Sequence, residues 1–318
     1  MLSRRQIAPL PRLMDVSLMT VDWRHADPEP LRRLYGALLD VGVLVQIPAA
    51  LTQQLSADLA PERTVLAAGT GDMATGGLTG VLSDSAKPWQ MLVMKECTLD
   101  TDLLPEADVY RLSVDTSLFL ADYEAQFSRF LRCCHKPAIL CARGATPLAT
   151  ALSVCWLLLG GARAAASLTG AGGYASLAEI AMALTLHGQE GLHPRMLPAA
   201  AAAWETLTGF GVPPHQPVIG SHLFDVSSGV HVNGLLKDAE SYEPFAPEAV
   251  GRERRIVLDQ HSGHSAVAAR LQTMGITPDS LNLSRLTLRV RALGRERGEV
   301  DAASFATLIR EEQEGVCA

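Results

Sequence analysis

Residues 138–186, AILCARGATPLATALSVCWLLLGGARAAASLTGAGGYASLAEIAMALTL, decide the fold class. Ala138–Cys141 and Ala164–Thr169 are short apolar runs, whereas Leu148–Leu159 and Leu177–Leu186 have helical length. Strands buried on both faces read as short apolar runs, and a helix between two of them carries the chain back to extend a parallel sheet. Gly160, Gly161 and the glycines at 170, 172 and 173 punctuate these changes of element.

The same alternation extends toward the N-terminus. Leu10–Leu18 predicts a first strand, Pro30–Val41 an amphipathic helix, and Val43–Ile47 a strand stopped by Pro48. Val65–Ala67, Gln90–Lys95 and Val109–Val114 read as further strands, and Leu118–Cys134 as a helix with Phe119, Tyr123, Phe127 and Phe130 at helical spacing. Residues 69–84 are rich in Gly, Thr, Ser and Asp and predict a loop; their glycines lack the Gly-Lys-Ser/Thr ending of a phosphate-binding P-loop. Seven strands are counted, and the interval from Ala67 to Val109 is too short for two βα units. The expectation is an α/β fold, a (β/α)8-type TIM barrel shortened by about one βα unit.

Such a barrel takes roughly 250 residues, so a chain of 318 leaves room for an appendage. Gly209–Pro217 has three prolines and reads as a linker. The expected domains are a barrel at 1–208, a linker and subdomain at 209–264, and a helical region at 265–318 with breaks at Gly275 and Gly298.

Composition narrows the function. The longest apolar stretch, Pro147–Gly161, falls short of a bilayer span. Arg4 and Arg5 are not followed by the apolar core of a secretory signal, so a soluble, cytoplasmic protein with no membrane partner is expected. A net charge of −7 argues against nucleic acid as a partner. Arg252, Arg254 and Arg255 form a local basic cluster that suits a carboxylate or phosphate, or else a solvated face. Six cysteines (Cys97, Cys133, Cys134, Cys141, Cys155 and Cys317) form no C-x-x-C pair and read as thiols. His187 with His193, and His261 with His264 at helical spacing, lack a carboxylate in a metal-ligand pattern; no Gly-x-Ser-x-Gly elbow is present.

Between Ser221 and His264 the chain reads SHLFDVSSGVHVNGLLK (221–237), YEPF (242–245), VGR (250–252) and HSGH (261–264). This series resembles the homocitrate synthase and 2-isopropylmalate synthase family, whose corresponding run is close to S-G-I-H-x-D-G-L-L-K, Y-E-x-F-x-P-E-x-V-G-R and H-S-G in the same order. The resemblance implies a (β/α)8 barrel with a C-terminal helical region. It further implies that a divalent metal, Mg or Mn, holds a 2-oxo acid at the barrel mouth while acetyl-CoA supplies the carbon nucleophile. By the same resemblance His231 and Tyr242 match catalytic positions near the CoA end of the site, and Asp15, Ser17, Thr116, Thr169, His261 and Ser262 are candidate substrate-binding residues.

Three stretches depart from the family. Its D-T-T-L-R-D becomes Asp15-Val16-Ser17-Leu18-Met19-Thr20, with Met19 in place of the oxyanion-stabilising Arg and Thr20 in place of a metal-binding carboxylate. Its H-x-H-N-D aligns with Leu140–Gly144, without either imidazole and with Cys141 expected to point away as a packed thiol. Its G-x-G-E-R-x-G-N aligns with Gly170–Ala175 without the Glu-Arg pair. No metal residues are therefore expected. The implied role is a non-catalytic protein with no cofactor, a homodimer or a heteromer with an active paralogous synthase. Two alternatives stand beside it: an active acyltransferase joining acetyl-CoA to a 2-oxo acid with metal ligands from Asp15, Asp22 or Asp115, and a sensor that binds CoA or a 2-oxo acid without turnover.

Overall fold

The computed structural model describes residues 12–23, 25–60, 63–67, 79–81, 91–100, 104, 106–116, 122–227 and 229–316. The chain forms two compact units, Met1–Gly220 and Ser221–Ala318.

The first unit is an α/β fold. Its strands are β1 (Leu13–Asp15), β2 (Leu44–Pro48), β3 (Thr64–Ala67), β4 (Thr79–Val81), β5 (Met91–Cys97), β6 (Val109–Asp115), β7 (Ala138–Arg143) and β8 (Arg163–Ala166). They pair in sequence order, and β8 returns to β1 with Met14 opposite Ala165, closing the ring. Seven strands run parallel, and β4 runs antiparallel to both neighbours. Helix α1 (Pro28–Val41) joins β1 to β2, α2 (Tyr123–Cys133) joins β6 to β7, and α3 (Thr146–Leu158) joins β7 to β8. Helices α4 (Leu177–Leu186) and α5 (Leu197–Thr208) follow β8.

The loop expected over 69–84 is corrected at Thr79–Val81 by β4, which makes eight strands in this ring among the described residues where seven were expected. A reversed strand crosses the sheet in fewer residues than a crossover helix needs, so it fits the short interval between β3 and β5. Phe119 of the expected aromatic stripe lies outside the described residues, whereas Phe127 and Phe130 are fully buried on α2. Asp27 caps α1 by accepting the Glu29 amide at 3.0 Å, and Leu31, Leu34, Tyr35, Leu38 and Val41 form its buried stripe. Inside the ring, Met14, Val16, Leu44, Val65, Val109, Ile139 and Ala165 pack together.

In the second unit β9 (Asp225–Val226) pairs in parallel with β10 (Arg255–Ile256). Four helices follow the chain: α6 (Gly229–Lys237), α7 (His264–Thr273), α8 (Leu283–Arg297) and α9 (Ala302–Val316). Val232, Ala266, Val267, Leu271, Leu286, Val290, Phe305 and Ile309 make its core. Gly298 is the C-cap of α8, and α7 stops just before Gly275. His264 opens α7 while His261 lies in the turn before it, so the expected shared helix face is corrected. No described helix is long and apolar enough to cross a membrane.

Candidate functional site

Polar side chains gather where β5, β6 and β7 end. Parallel pairing sets Glu96 beside Arg111, Ser113 beside Cys141, and Asp115 beside Arg143. Period-two alternation then turns these residues to the inside of the ring, where they line a cavity of about 470 Å³. The C-terminal ends of parallel strands are where α/β barrels carry their sites.

Cys141 is thereby corrected. It packs in the ring interior with Ile139, two residues away on the same strand face, and so points inward with Arg143. The inward pair on β7 is Cys141 and Arg143, one register from Leu140 and Ala142, the pair that the family motif aligns with.

Arg111, 2% exposed, donates from Nη2 to Cys141 Sγ at 3.2 Å. Burial opposes its charge, but Cys141, Tyr174 and Glu96 around it hold the guanidinium pKa above its ordinary value. Arg143 stacks over the Tyr174 ring at 4.9 Å and donates to the Gly172 carbonyl at 3.2 Å. Burial and Cys141 push the Tyr174 phenol pKa up, with Arg111 and Arg143 pulling the other way. Met19 packs against the ring's inner cluster, so a thioether stands where the family alignment places arginine. Thr20 spends its hydroxyl on the Ser17 carbonyl at 2.8 Å.

Mg and Mn want about six oxygen ligands. The cavity offers Glu96, Asp115 and Ser113, and the guanidiniums of Arg111 and Arg143 share it. That donor set suits a hard divalent cation poorly. Among the described residues no three His, Cys, Asp or Glu side chains converge as a metal site.

The other candidates in this unit are scattered. Asp15 is fully buried, with one carboxylate oxygen accepting the Ser17 amide at 2.8 Å and the other the Ser17 hydroxyl at 2.9 Å. That hydroxyl in turn accepts the Leu168 amide at 2.7 Å, tying the turn after β1 to the end of β8. Thr116, buried at the end of β6, accepts the Ala145 amide at 3.0 Å. The Thr169 carbonyl accepts from Gln216 at 3.1 Å.

In the second unit α6 presents His231 to Tyr242, with ring centroids 5.9 Å apart beside a cavity of about 300 Å³. An imidazole and a half-exposed phenol at that distance can serve proton transfer or orient a polar ligand. Gly234 makes the pairing possible, because a Cβ there would overlap the Tyr242 ring and hydroxyl. Gly234→Ala is expected to displace the half-exposed Tyr242 ring from His231 with little net change in stability, because the ring can swing toward solvent and alanine favours the helix. The His231 ring-proton chemical shift reports it; an unchanged shift would show that the two rings are not coupled. His261 is exposed, its amide donating to Asp259 at 2.7 Å, while Ser262 is fully buried and accepts the Asp259 amide at 2.8 Å. The Ser262 carbonyl also accepts from Arg291 at 2.7 Å.

The architecture is thus that of an α/β strand-ring protein with a polar mouth and an appended, mostly helical unit carrying a paired imidazole and phenol. Residues 218–298 match the family model described as homocitrate synthase post-HMGL domain-like. A protein of Methanopyrus kandleri named "Probable 2-isopropylmalate synthase" is 42% identical over 124 residues, covering 38% of this chain and 25% of the relative. Homocitrate synthase AksA of the same organism is 34% identical over 140 residues, 43% of this chain and 35% of the relative. A second protein named "Probable 2-isopropylmalate synthase", from Ignicoccus hospitalis, is 35% identical over 152 residues, 46% of this chain and 38% of the relative. The matches therefore span well under half of the relatives' length. Over these stretches the chain is similar to the homocitrate synthase and 2-isopropylmalate synthase family.

Proposed function

We propose that this chain is a homocitrate/2-isopropylmalate synthase-like protein without metal-dependent condensation, working in the cytoplasm as a homodimer or as the partner subunit of an active paralogous synthase. Its first unit is a (β/α)8 barrel shortened by the exchange of βα units for β4, and the part beyond it is the family's C-terminal subdomain. One observation carries the reading: Cys141 and Arg143 occupy the inward positions of β7, with the Arg111 guanidinium behind them. Fixed positive charge there opposes a divalent cation and can hold an anion without one. His231 and Tyr242 would then be offered to a partner's site.

Metal analysis tests the proposal most directly. The purified protein is expected to carry far less than one Mg or Mn per chain after equilibration, and to release no CoA thiol from acetyl-CoA with 2-oxoglutarate or 2-oxoisovalerate. Co-purification with an active synthase, or a stable dimer in solution, supports the partner role; a lone monomer argues against it.

The retained His231–Tyr242 pairing favours a second reading, an active acyltransferase that takes acetyl-CoA and a 2-oxo acid. In that case Asp115 and Glu96 are the carboxylates at the mouth, whereas Asp15 is committed to Ser17. Metal-dependent thiol release that is lost in His231→Ala decides for it.

A further inference from the structure

We propose that the outward face of α3 is a contact surface for a second copy of this chain, which packs the same face against it across a two-fold axis. The inference rests on the homodimer reading above and gives it a place on the first unit. No Asp, Glu, Lys or Arg occurs between Arg143 and Arg163, so α3 is apolar away from the strand ring as well as toward it. A helix apolar all round is a helix that is covered all round. Yet Leu148, Ala151, Leu158 and Leu159 are exposed, and Val154 and Cys155 are half-buried. The other outer helices differ: α1 shows Glu29, Arg32 and Arg33 to solvent, and α2 shows Glu124, Arg129 and Arg132.

Spacing on that face identifies the occupant. Leu148, Ala151, Cys155 and Leu158 share one helical stripe, and their order of large, small, small, large reads the same in both directions. Two copies of α3 laid antiparallel about a two-fold axis therefore set Leu148 against Leu158 of the partner subunit, and Ala151 against Cys155 of the partner subunit. The small pair lets the helix axes approach, and the leucines close over the ends. An unrelated partner has no need of that symmetry. Charge points the same way: each copy carries −7, and this uncharged face lets two copies meet without a like-charge pair. Seating the charged faces of α1 or α2 on it would strip water from unpaired charges.

The patch continues onto α4. Arg12 donates to the Leu157 and Gly161 carbonyls and to Gln189 Oε1, which ties the C-terminal end of α3 to the turn after α4, where Leu186 is exposed. Leu148, Leu158, Leu159 and Leu186, each 38–57% exposed, and the smaller residues between them make an apolar patch on the order of 500 Å². Two such patches bury about 1,000 Å² together, the lower bound of a specific interface, so a dimer of micromolar affinity is expected.

Sedimentation of the full chain across the micromolar range tests the proposal. A monomer–dimer equilibrium is expected, and Leu148→Asp and Leu158→Asp are each expected to weaken it about tenfold or more by burying an unpaired charge. Both leucines face solvent in a single copy, so the variants fold, which far-UV circular dichroism checks. Ala151→Cys supplies a second test. With oxidised glutathione as the oxidant, it is expected to give a dimer linked between position 151 and Cys155 of the partner subunit, since antiparallel packing brings those positions within disulfide reach. The proposal is overturned if the aspartate variants dimerise like the wild type, which leaves the homodimer reading standing on another face, or if the chain is a monomer throughout, which removes both. It is also overturned if the leucines instead carry the chain onto phosphatidylcholine vesicles in flotation, or if the only links in Ala151→Cys run through other cysteines.

Discussion

Asp15→Asn is expected to stabilise the first unit by roughly 4 kcal/mol at about pH 8 and to change little near pH 4. Burial lifts the Asp15 carboxyl from its ordinary 3.8 to about 7, against the hydrogen bonds from the Ser17 amide and hydroxyl, which favour the charged form. The folded state therefore keeps its proton between those values while the unfolded chain has lost it. Stability is highest below the lower value, falls as pH rises through the interval, and stays reduced above about 7. Asparagine imitates the protonated acid: its oxygen accepts the Ser17 amide, and its nitrogen donates where a protonated carboxyl would. Urea unfolding of both proteins across this range checks it. If Asp15→Asn keeps the wild-type slope between pH 4 and about 7, another group is responsible.

Local pattern explains what the sequence disclosed. The order β7, α3, β8, α4 was legible in residues 138–186 because each element there is long enough to carry its own apolar period. β4 was not legible, since three residues in a Gly- and Thr-rich stretch have no period and their place comes only from neighbours on both sides. At the mouth, Arg111 left a trace: a charged residue interrupts the apolar run Val109–Val114. Its role depends on the inward alternation and on Cys141 from the next strand, which the run itself does not specify. The slip on β7 has the same origin, because moving a strand by one residue exchanges its faces. His231 and Tyr242 were legible through their motif, but the contact that lets Tyr242 lie over Gly234 is a tertiary one.

Trp156→Ala is expected to cost about 3–5 kcal/mol, the range for truncating a large buried aromatic. The indole is fully buried on α3, packs against Phe127 and Phe130 of α2 at 5.3 and 5.9 Å, and donates from Nε1 to the Arg163 carbonyl at 2.8 Å. One side chain thus joins α2, α3 and the start of β8. Gly161 leaves room for it, since a Cβ at that position would overlap the indole, and Gly161→Ala should be destabilising for the opposite reason, overpacking. Trp156→Phe, which keeps much of the apolar contact and loses the hydrogen bond, is expected to fall between wild type and alanine. The functional consequence follows from position. Helices α2 and α3 are the connections that hold β6, β7 and β8 in order, and β6 and β7 carry Arg111, Cys141 and Arg143. Loosening that layer should let the Arg143–Tyr174 stacking relax even in molecules that remain folded, which would appear as increased hydrogen exchange at the ends of β7 and β8. A loss below 1 kcal/mol, with exchange unchanged there, would mean that the mouth is held by the strand pairing alone.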